Sequence, residues 1–292
     1  MEQRMQIVGA GKLGRTMARL WQSKRVFAVD GVVNQSLESS QAAVAFIGAG
    51  RAIGSVEELG PWSLMMIATS DRAIAQAAIE VATKSQPLPG AVVFHCSGSL
   101  SSELLAPLRA KGCSVASLHP ALSFADPALA VTNFPGTMCA LEGDEAAVTL
   151  LTKAITAIEG KCFAVDGRHK TLYHAASVFA NNYGNAMLEA ASRCLRHAGL
   201  DEAQSKELLT GIAQATVANF SRLGTIASVT GPIARGEAEV VSRQLEALTA
   251  WQPTLAEAYR AAGGIVLEMA HIQNKSAAGA LESVAQVLGQ KR

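Results

Sequence analysis

Up to about residue 165, apolar and polar positions follow two alternating patterns. Short, almost continuously apolar runs are separated by Ala-rich amphipathic stretches with helical periodicity, such as 71–83 and 144–158. The runs predict strands at 6–9, 26–33, 64–68, 91–95, 114–118, 136–141 and 162–165. Strands that alternate with helices form parallel sheets covered on both faces, and strands buried on both sides are apolar throughout. The pattern therefore predicts an α/β fold with a doubly wound, Rossmann-type sheet.

The chain changes character after Asp166–Gly167. Only helical periodicity follows, and the first helix is predicted from Arg168 to His197, with Gly199 as its terminator. We therefore predict two domains, an α/β domain over residues 1–166 and an all-helical domain over residues 167–292. Because no low-complexity linker joins them, we expect the two domains to pack closely around a cleft.

Composition excludes several classes of protein. Apolar residues make up 49% of the chain and charged residues 17%, a balance typical of a buried globular fold. The net charge of +1 indicates no nucleic-acid partner, and no apolar run approaches the ~18 residues of a membrane span. Glycines interrupt any signal-peptide core near the start, and the five scattered cysteines predict reduced thiols rather than disulfides or a metal site. We therefore expect a cytoplasmic protein without a metal.

A glycine motif follows the first predicted strand. Residues 9–14 read G-x-G-x-x-G, with Lys12 and Leu13 between the second and third glycines, and a helical stretch follows. In this context Gly9 permits a tight turn, Gly11 lets the backbone approach a pyrophosphate, and Gly14 allows close helix–strand packing. The free N–H groups of the following helix would hold the diphosphate, so the motif predicts dinucleotide binding.

The end of the second predicted strand decides between NAD and NADP. An acidic residue there would bind the ribose 2′-hydroxyl and repel the 2′-phosphate, and Asp30 lies near the expected distance. Apolar residues continue to Val33, however, which places Asp30 inside the strand or at a bulge. The strand then ends at the neutral Asn34, Gln35 and Ser36. These residues favour NADP over NAD, although the arginine that would strengthen the choice is missing there. A deazaflavin stays open as a less favoured cofactor.

Polar residues also follow the other predicted strands. In an open α/β sheet ligands bind beyond the carboxyl ends of the strands. These ends carry Thr69, Ser70 and Cys96, which are candidate cofactor contacts, and Ser97, Ser99 and His119. Asp71 is interpreted as a helix N-cap.

Two of these strand ends are candidates for substrate chemistry. Ser97 and Ser99 open the next helix, where they either hold a substrate carboxylate or the nicotinamide amide, or simply cap the helix. His119 precedes Pro120 at a strand end, and a catalytic and a structural role are both open for it.

A polar stripe marks the first helix of the second domain. Spacings of four, three and four place Lys170, His174, Ser177 and Asn181 on one helical face, with Tyr173 beside them. Because solvated faces usually carry Glu and Lys rather than His, Ser and Asn, the stripe is predicted to line the cleft.

One further candidate lies in the interhelical loop 230–236. Arg235 suits bidentate carboxylate binding, or it is a surface residue in a helix connector.

Several motifs together resemble a known bacterial family. They are Val8–Gly14, Phe94–Gly98, Ser117–Pro120 with Ser123–Asp126, Tyr173–Ala176 and Thr230–Gly236. The resemblance is to proteins that join a Rossmann-like domain to a poorly characterised helical domain. It implies kinship with pyrroline-5-carboxylate reductases, 6-phosphogluconate and 3-hydroxyacid dehydrogenases, and ketopantoate reductases. It also implies a homodimer formed through the helical domain.

The resemblance also implies roles for individual residues. In the hydroxyacid branch a Lys and an Asn four residues apart serve catalysis, and Lys170 and His174 have that spacing here, with His in place of Asn. His119–Pro120 is similar to the His-Pro turn of prephenate dehydrogenases, where the His is catalytic.

The resulting hypothesis is an NADPH-dependent reductase of the C=O or C=N group of a small carboxylate substrate, such as a ketopantoate-like 2-oxo acid. Lys170 is the preferred general acid, with His174 or His119 as the alternative, and Asn181 completes the catalytic face. Ser97, Ser99 and Arg235 would hold the substrate carboxylate. The alternatives are a prephenate-type dehydrogenase that depends on His119, and a non-catalytic NADP sensor.

Overall fold

The first part of the chain forms one eight-stranded sheet. The structure, a computed structural model, describes residues 3–290. The strands are β1 (Gln3–Val8), β2 (Phe27–Val33), β3 (Arg51–Ile53), β4 (Trp62–Ile67), β5 (Pro87–His95), β6 (Ser114–Pro120), β7 (Met138–Gly143) and β8 (Lys161–Ala164). Their order in the sheet is β3-β2-β1-β4-β5-β6-β7-β8.

Helices connect these strands and make up the rest of the chain. Those of the first part are α1 (Lys12–Ser23), α2 (Leu37–Ile47), α3 (Asp71–Lys84), α4 (Ala106–Arg109), α5 (Pro127–Asn133), α6 (Glu145–Ala157) and α7 (Lys170–Val178). After a π-helical turn at Phe179–Tyr183 come α8 (Gly184–His197), α9 (Glu202–Ser228), α10 (Pro232–Arg235), α11 (Ala238–Trp251), α12 (Pro253–Gln273) and α13 (Ala280–Leu288).

The sheet has a hydrophobic core on each face. Successive strand residues alternate between the two cores, since Met66 and Phe94 belong to one buried cluster while Ile67 and Val93 belong to the other. Burying each such side chain contributes about 1.5–3 kcal/mol. The uninterrupted apolar runs are thus explained by burial on both sides, and the predicted doubly wound α/β fold is confirmed.

Two features of the sheet differ from the expectation. β3 was not predicted, because it is a three-residue edge strand that begins with the exposed Arg51. β7 runs antiparallel to β6, whereas strand–helix alternation predicted parallel strands throughout. The reason is that a run of apolar residues identifies a strand but not its direction. Here the connection from β6 to β7 contains only the seven-residue α5 and brings the chain back alongside β6 in reverse.

Contacts between residues divide the chain between Tyr183 and Gly184. By its contacts α7, which was predicted to open the second domain, belongs to the first unit. The second unit is helical and has its own core around Val241, Leu267 and Val284. Within residues 3–290, no helix has the length and apolar character needed to cross a membrane.

Candidate cofactor and active site

The glycine turn between β1 and α1 has a distinct steric reason for each glycine. Gly9 has a φ of +87°, and a Cβ there would lie 2.6 Å from Cγ2 of Thr69. A Cβ on Gly14 would lie 2.8 Å from the carbonyl oxygen of Gly9, whereas one on Gly11 would meet nothing within 4 Å. Gly9 and Gly14 therefore allow the turn to fold, and Gly11 leaves its backbone open to close approach.

The surroundings of this turn fit a dinucleotide. Gly11 is the N-cap of α1 and offers no side chain to the first-turn N–H groups, which suits them to an anion. Oγ1 of Thr69, beside Gly9, is buried without a hydrogen-bond partner among residues 3–290, as expected of a group that awaits a ligand. Lys12 Nζ donates to the carbonyl oxygen of Ala125 at 2.7 Å, and Leu13 packs against the core. Ser70 is exposed at the N-cap position of α3.

The end of β2 is arranged as predicted. Asp30 lies inside the strand, where the β1–β2 register shifts, and its carboxylate accepts from Gln6 Nε2 at 3.0 Å and pairs with Arg51 at 3.3 Å. Oδ1 of Asn34 accepts from the backbone N–H of Ala10 at 2.6 Å. The Asn34 side chain therefore ties the glycine turn to the strand end.

The Ser36 side chain caps α2, and Gln35 beside it is exposed. Both residues stand at the loop that follows β2.

The two candidate serines after β5 share one carboxylate. Ser97 Oγ donates to Oδ2 of Asp71 at 2.9 Å, and Ser99 Oγ donates to the same oxygen at 2.8 Å. Ser97 is buried, and its oxygen accepts from the backbone N–H of Leu100 at 3.1 Å. The interpretation of Asp71 as an N-cap is wrong, because Ser70 takes the cap position and Asp71 is the first residue of α3. The carboxylate is thereby free to reach across to the β5 loop.

A cluster of aromatic polar side chains surrounds Gly98. Nδ1 of His119 is 2.9 Å from Oη of Tyr173, and the His119 and His174 rings stand edge-to-face with centroids 5.7 Å apart. A Cβ on Gly98 would lie 2.4 Å from Cδ2 of His174 and 2.8 Å from Nε2 of His119. Glycine at this position therefore lets the backbone pass between the two imidazoles.

Burial lowers the pKa of two histidines in this region. Burial, assisted by the charges of His174 and Lys170, lowers the pKa of His119 to about 4. Burial likewise lowers the pKa of His95 to about 4. Burial raises the pKa of Tyr173, against the opposing effect of a hydrogen bond with Ser177.

Lys170 lies beneath this cluster rather than on its surface. Its side chain is 1% exposed, and Nζ donates to the Ser97 carbonyl oxygen at 2.9 Å and to Ser117 Oγ. Nζ also lies 3.7 Å from Oε1 of Glu142, which accepts from the backbone N–H of Ser102 at 2.7 Å. Burial lowers the pKa of the Lys170 amine to about 8, although Glu142 opposes that shift.

The structure resolves the predicted stripe into separate environments. Lys170 is buried under the β5 loop, His174 contacts the His119 ring, and Ser177 lies by Tyr173. Asn181 is exposed within the π-helical turn, where the α-helical spacing of the prediction no longer applies.

Two other candidates, Cys96 and Arg235, have surroundings of their own. Cys96 is buried, and burial raises the pKa of its thiol to about 12, so it is a weak nucleophile. Arg235 belongs to the second unit, where its guanidinium pairs with Glu237 at 2.7 Å beside an open cavity that Lys275 also lines.

Sequence reasoning missed Asp71, Ser117 and Glu142. Asp71 follows the end of a strand, as Ser97 and Ser99 do, and this position could have indicated that it belongs to the site. Ser117 stands in the family motif Ser117–Pro120 but was given no role, and nothing in the sequence marks Glu142, its register partner on β7.

Comparisons with known proteins agree with the fold described above. A Rossmann-like domain model matches residues 2–120, and the model of a domain of unknown function, DUF2520, matches residues 137–265. The chain therefore carries a Rossmann-like domain followed by a DUF2520 domain, and the resemblance seen in its motifs is confirmed. None of the curated proteins matches the sequence at a significant level.

Solved structures share this fold over nearly the whole chain. Protein TM1727 from Thermotoga maritima is 25% identical, with a TM-score of 0.70 over 93% of this chain and 100% of the other. A 1-pyrroline-5-carboxylate reductase from Streptococcus pyogenes is 14% identical, with a TM-score of 0.61 over 92% and 98%. A reductive aminase from Aspergillus terreus, solved with NADPH, is 14% identical, with a TM-score of 0.59 over 99% and 93%.

Proposed function

We propose that this protein is an NADP(H)-dependent oxidoreductase that reduces the C=N bond of a small substrate. The observation that carries the proposal is one shared edge of the sheet. The glycine turn, Asp71, the Ser97–Ser99 loop and His119 all lie at or just beyond the carboxyl ends of the parallel strands β1, β4, β5 and β6. Ligands of open α/β sheets bind at this edge. Similarity of fold to a pyrroline-5-carboxylate reductase and a reductive aminase supports the same class of reaction.

When bound, the nicotinamide would supply the hydride. His119 would contact the substrate through Nε2. In this proposal the Tyr173 hydroxyl, which lies 2.9 Å from Nδ1 and is hydrogen-bonded to Ser177, is the donor to Nδ1, and this choice leaves the hydrogen on Nε2. A neutral imidazole in this tautomer donates a hydrogen bond but is a poor source of a whole proton. The substrate that suits this histidine best is one whose carbon accepts hydride without protonation of the neighbouring atom. A protonated imine meets this condition, because its nitrogen already carries the proton.

The charge of Asp71 supports the same choice. Ser97 and Ser99 already donate their hydroxyl hydrogens to this carboxylate. A substrate carboxylate at these serines would face a like charge, which costs binding energy, whereas an iminium or the nicotinamide amide would be stabilised. We therefore replace the expected carboxylate-binding role of Ser97 and Ser99 with recognition of a hydrogen-bond donor. The ketopantoate-like acid becomes the less favoured substrate.

Lys170 is proposed as a positioning residue rather than the general acid. Its amine holds the Ser97 carbonyl oxygen from below and is balanced by Glu142. This contact fixes the loop that carries Gly98 between the two imidazoles.

A screen tests the proposal. Oxidation of NADPH would be followed with cyclic imines, with ketones plus amines and with 2-oxo acids, and turnover of the imines is expected to be fastest. Faster turnover of a 2-oxo acid would contradict the choice of C=N. Tight NADPH binding without turnover of any compound would instead indicate that the protein is a non-catalytic NADP sensor.

A prephenate-type dehydrogenase is the second candidate. The neutral His119 favours it, because an unprotonated imidazole can accept the proton of a substrate hydroxyl while hydride leaves the carbon. Reduction of NADP⁺ by prephenate or by hydroxy acids, with no activity toward imines, would select this direction.

We also propose that the protein is a cytoplasmic homodimer. Its five cysteines are unpaired, as expected in a reducing compartment. In the second unit α8 and α9 expose large apolar side chains, including Leu208, Ile212, Val217 and Phe220. Apolar side chains of this size that are exposed together on neighbouring helices often mark an interface. Light scattering during gel filtration should give twice the chain mass, and a monomer would refute the interface.

A further inference from the structure

The strand end that would receive the ribose carries no cation of its own. A phosphate monoester carries about −1.5 to −2 charges at pH 7, and proteins that bind NADP usually place an arginine nearby. Gln35 stands between Asn34 and Ser36 on this loop, and Arg51, exposed on the edge strand β3, is already paired with the Asp30 carboxylate. A cation for the 2′-phosphate must therefore come from another element.

Arg15, on the first turns of α1, is placed to supply it. Its Nε lies 3.3 Å from the carbonyl oxygens of both Ala10 and Gly11. The backbone N–H of Ala10 in turn donates to Oδ1 of Asn34 at 2.6 Å. One residue, Ala10, thus joins the Arg15 side chain to the loop at the end of β2.

The charge of Arg15 is also uncommitted. Among residues 3–290 no carboxylate forms an ion pair with it, and its Nε contacts leave both terminal nitrogens for a ligand. Arg19, one turn further along α1, is different. It lies over the Phe46 ring, 5.2 Å from the centroid, and donates to the Phe46 carbonyl oxygen, so it is a structural residue.

We propose that Arg15 binds the 2′-phosphate of NADP(H) and selects this cofactor over NAD(H), in place of an arginine on the β2 loop. The proposal rests on the proposed function, because it requires that the glycine turn hold a dinucleotide. Glu38, exposed in the first turn of α2, is the opposing charge on the same loop. Arg15 therefore has to outweigh Glu38 as well as bind the phosphate.

Binding measurements test this assignment without any turnover. NADPH and NADH would be titrated by fluorescence, and 2′,5′-ADP and 5′-AMP by calorimetry, against the unaltered protein and three variants. Arg15→Gln should weaken NADPH and 2′,5′-ADP binding by ~10–100-fold, the value of a charged hydrogen-bonded pair, and leave NADH and 5′-AMP within twofold. Arg15→Lys should restore part of the loss, and the matched control Arg19→Gln should leave the preference unchanged.

The possible outcomes separate the two proposals. Equal losses for NADPH and NADH would place Arg15 on the pyrophosphate and overturn the assignment, and so would an unchanged preference in Arg15→Gln. If the unaltered protein binds neither dinucleotide, the proposed function itself fails, and the assignment with it. Glu38→Gln provides an independent check, since removal of this charge should tighten NADPH binding more than NADH binding.

Discussion

The glycine turn and the Gly98 cluster lie at the same edge of the sheet but are built in opposite ways. The turn comes from one continuous segment, and its geometry depends on three glycines within residues 9–14. The cluster draws Gly98, His119, Tyr173 and His174 from the β5 loop, β6 and α7, which are distant in the chain. A site formed by one segment can be recognised from its motif, and one side chain that clashes with the ligand abolishes binding. A site assembled from distant segments is recognised from the contacts in the structure, and the loss of one contact lowers its activity only in part.

The largest effect is expected at the turn. Gly11→Val should abolish NADPH binding, because the new side chain would occupy the space that the pyrophosphate needs. Stability should change little, since a Cβ at Gly11 meets nothing within 4 Å and its φ of −67° suits any residue. Fluorescence titration and thermal melting measure the two properties. A folded variant with normal NADPH affinity would show that the turn does not bind the cofactor.

The second effect concerns the cluster. His119→Asn should lower kcat by ~10²–10³-fold, the usual range for losing one positioned hydrogen-bond donor, while NADPH affinity stays within about twofold. The exposed His169, which lies outside the cluster, provides the matched control His169→Asn. Steady-state kinetics with the best substrate of the screen, in both directions, give the comparison. Equal activities in the two variants would remove His119 from the chemistry.

The third effect separates a positioning lysine from a catalytic one. Lys170→Met should reduce the free energy of unfolding by about 3 kcal/mol, because it leaves the Glu142 charge buried without its partner. Lys170→Met combined with Glu142→Gln should recover part of that loss. Urea denaturation of both single variants and the double variant gives the coupling free energy between Lys170 and Glu142. Unchanged stability combined with lost turnover would return Lys170 to the role of general acid.

The fourth effect is a pH dependence of stability. The folded pKa values of His95 and His119, about 4, lie below the ordinary value of 6.5. Between these two pH values the unfolded chain therefore binds more protons than the folded chain. The free energy of unfolding should fall as the pH drops from about 6.5 to about 4, and it should stay level above a pH of about 6.5. Urea midpoints at several pH values measure the slope, which His119→Asn should reduce. An identical slope in that variant would contradict a neutral, buried His119.

The sequence predicted those features that depend on local pattern. The seven predicted strands are present, the glycine motif has the expected steric roles, and Asp30 lies inside β2. Each of these follows from residues close together in the chain, where periodicity and chain geometry determine the outcome.

The remaining features depend on contacts that no local pattern encodes. The direction of β7 depends on how a short connection returns, and the burial of Lys170 depends on Ser117 and Glu142, which are distant in sequence. The helical spacing that grouped Asn181 with Lys170 failed because of a π-helical turn, which the sequence does not mark.

The antiparallel pairing of β6 with β7 also limits how the protein can be divided. The Rossmann-like match ends at residue 120, at the end of β6, and the DUF2520 match begins at residue 137, just before β7. The two families therefore meet inside one sheet, between hydrogen-bonded neighbours. A fragment cut between them would expose the backbone of β6 as an open edge, which invites aggregation. The boundary between the two sequence families is thus not a boundary at which this protein can be cut into parts that fold alone.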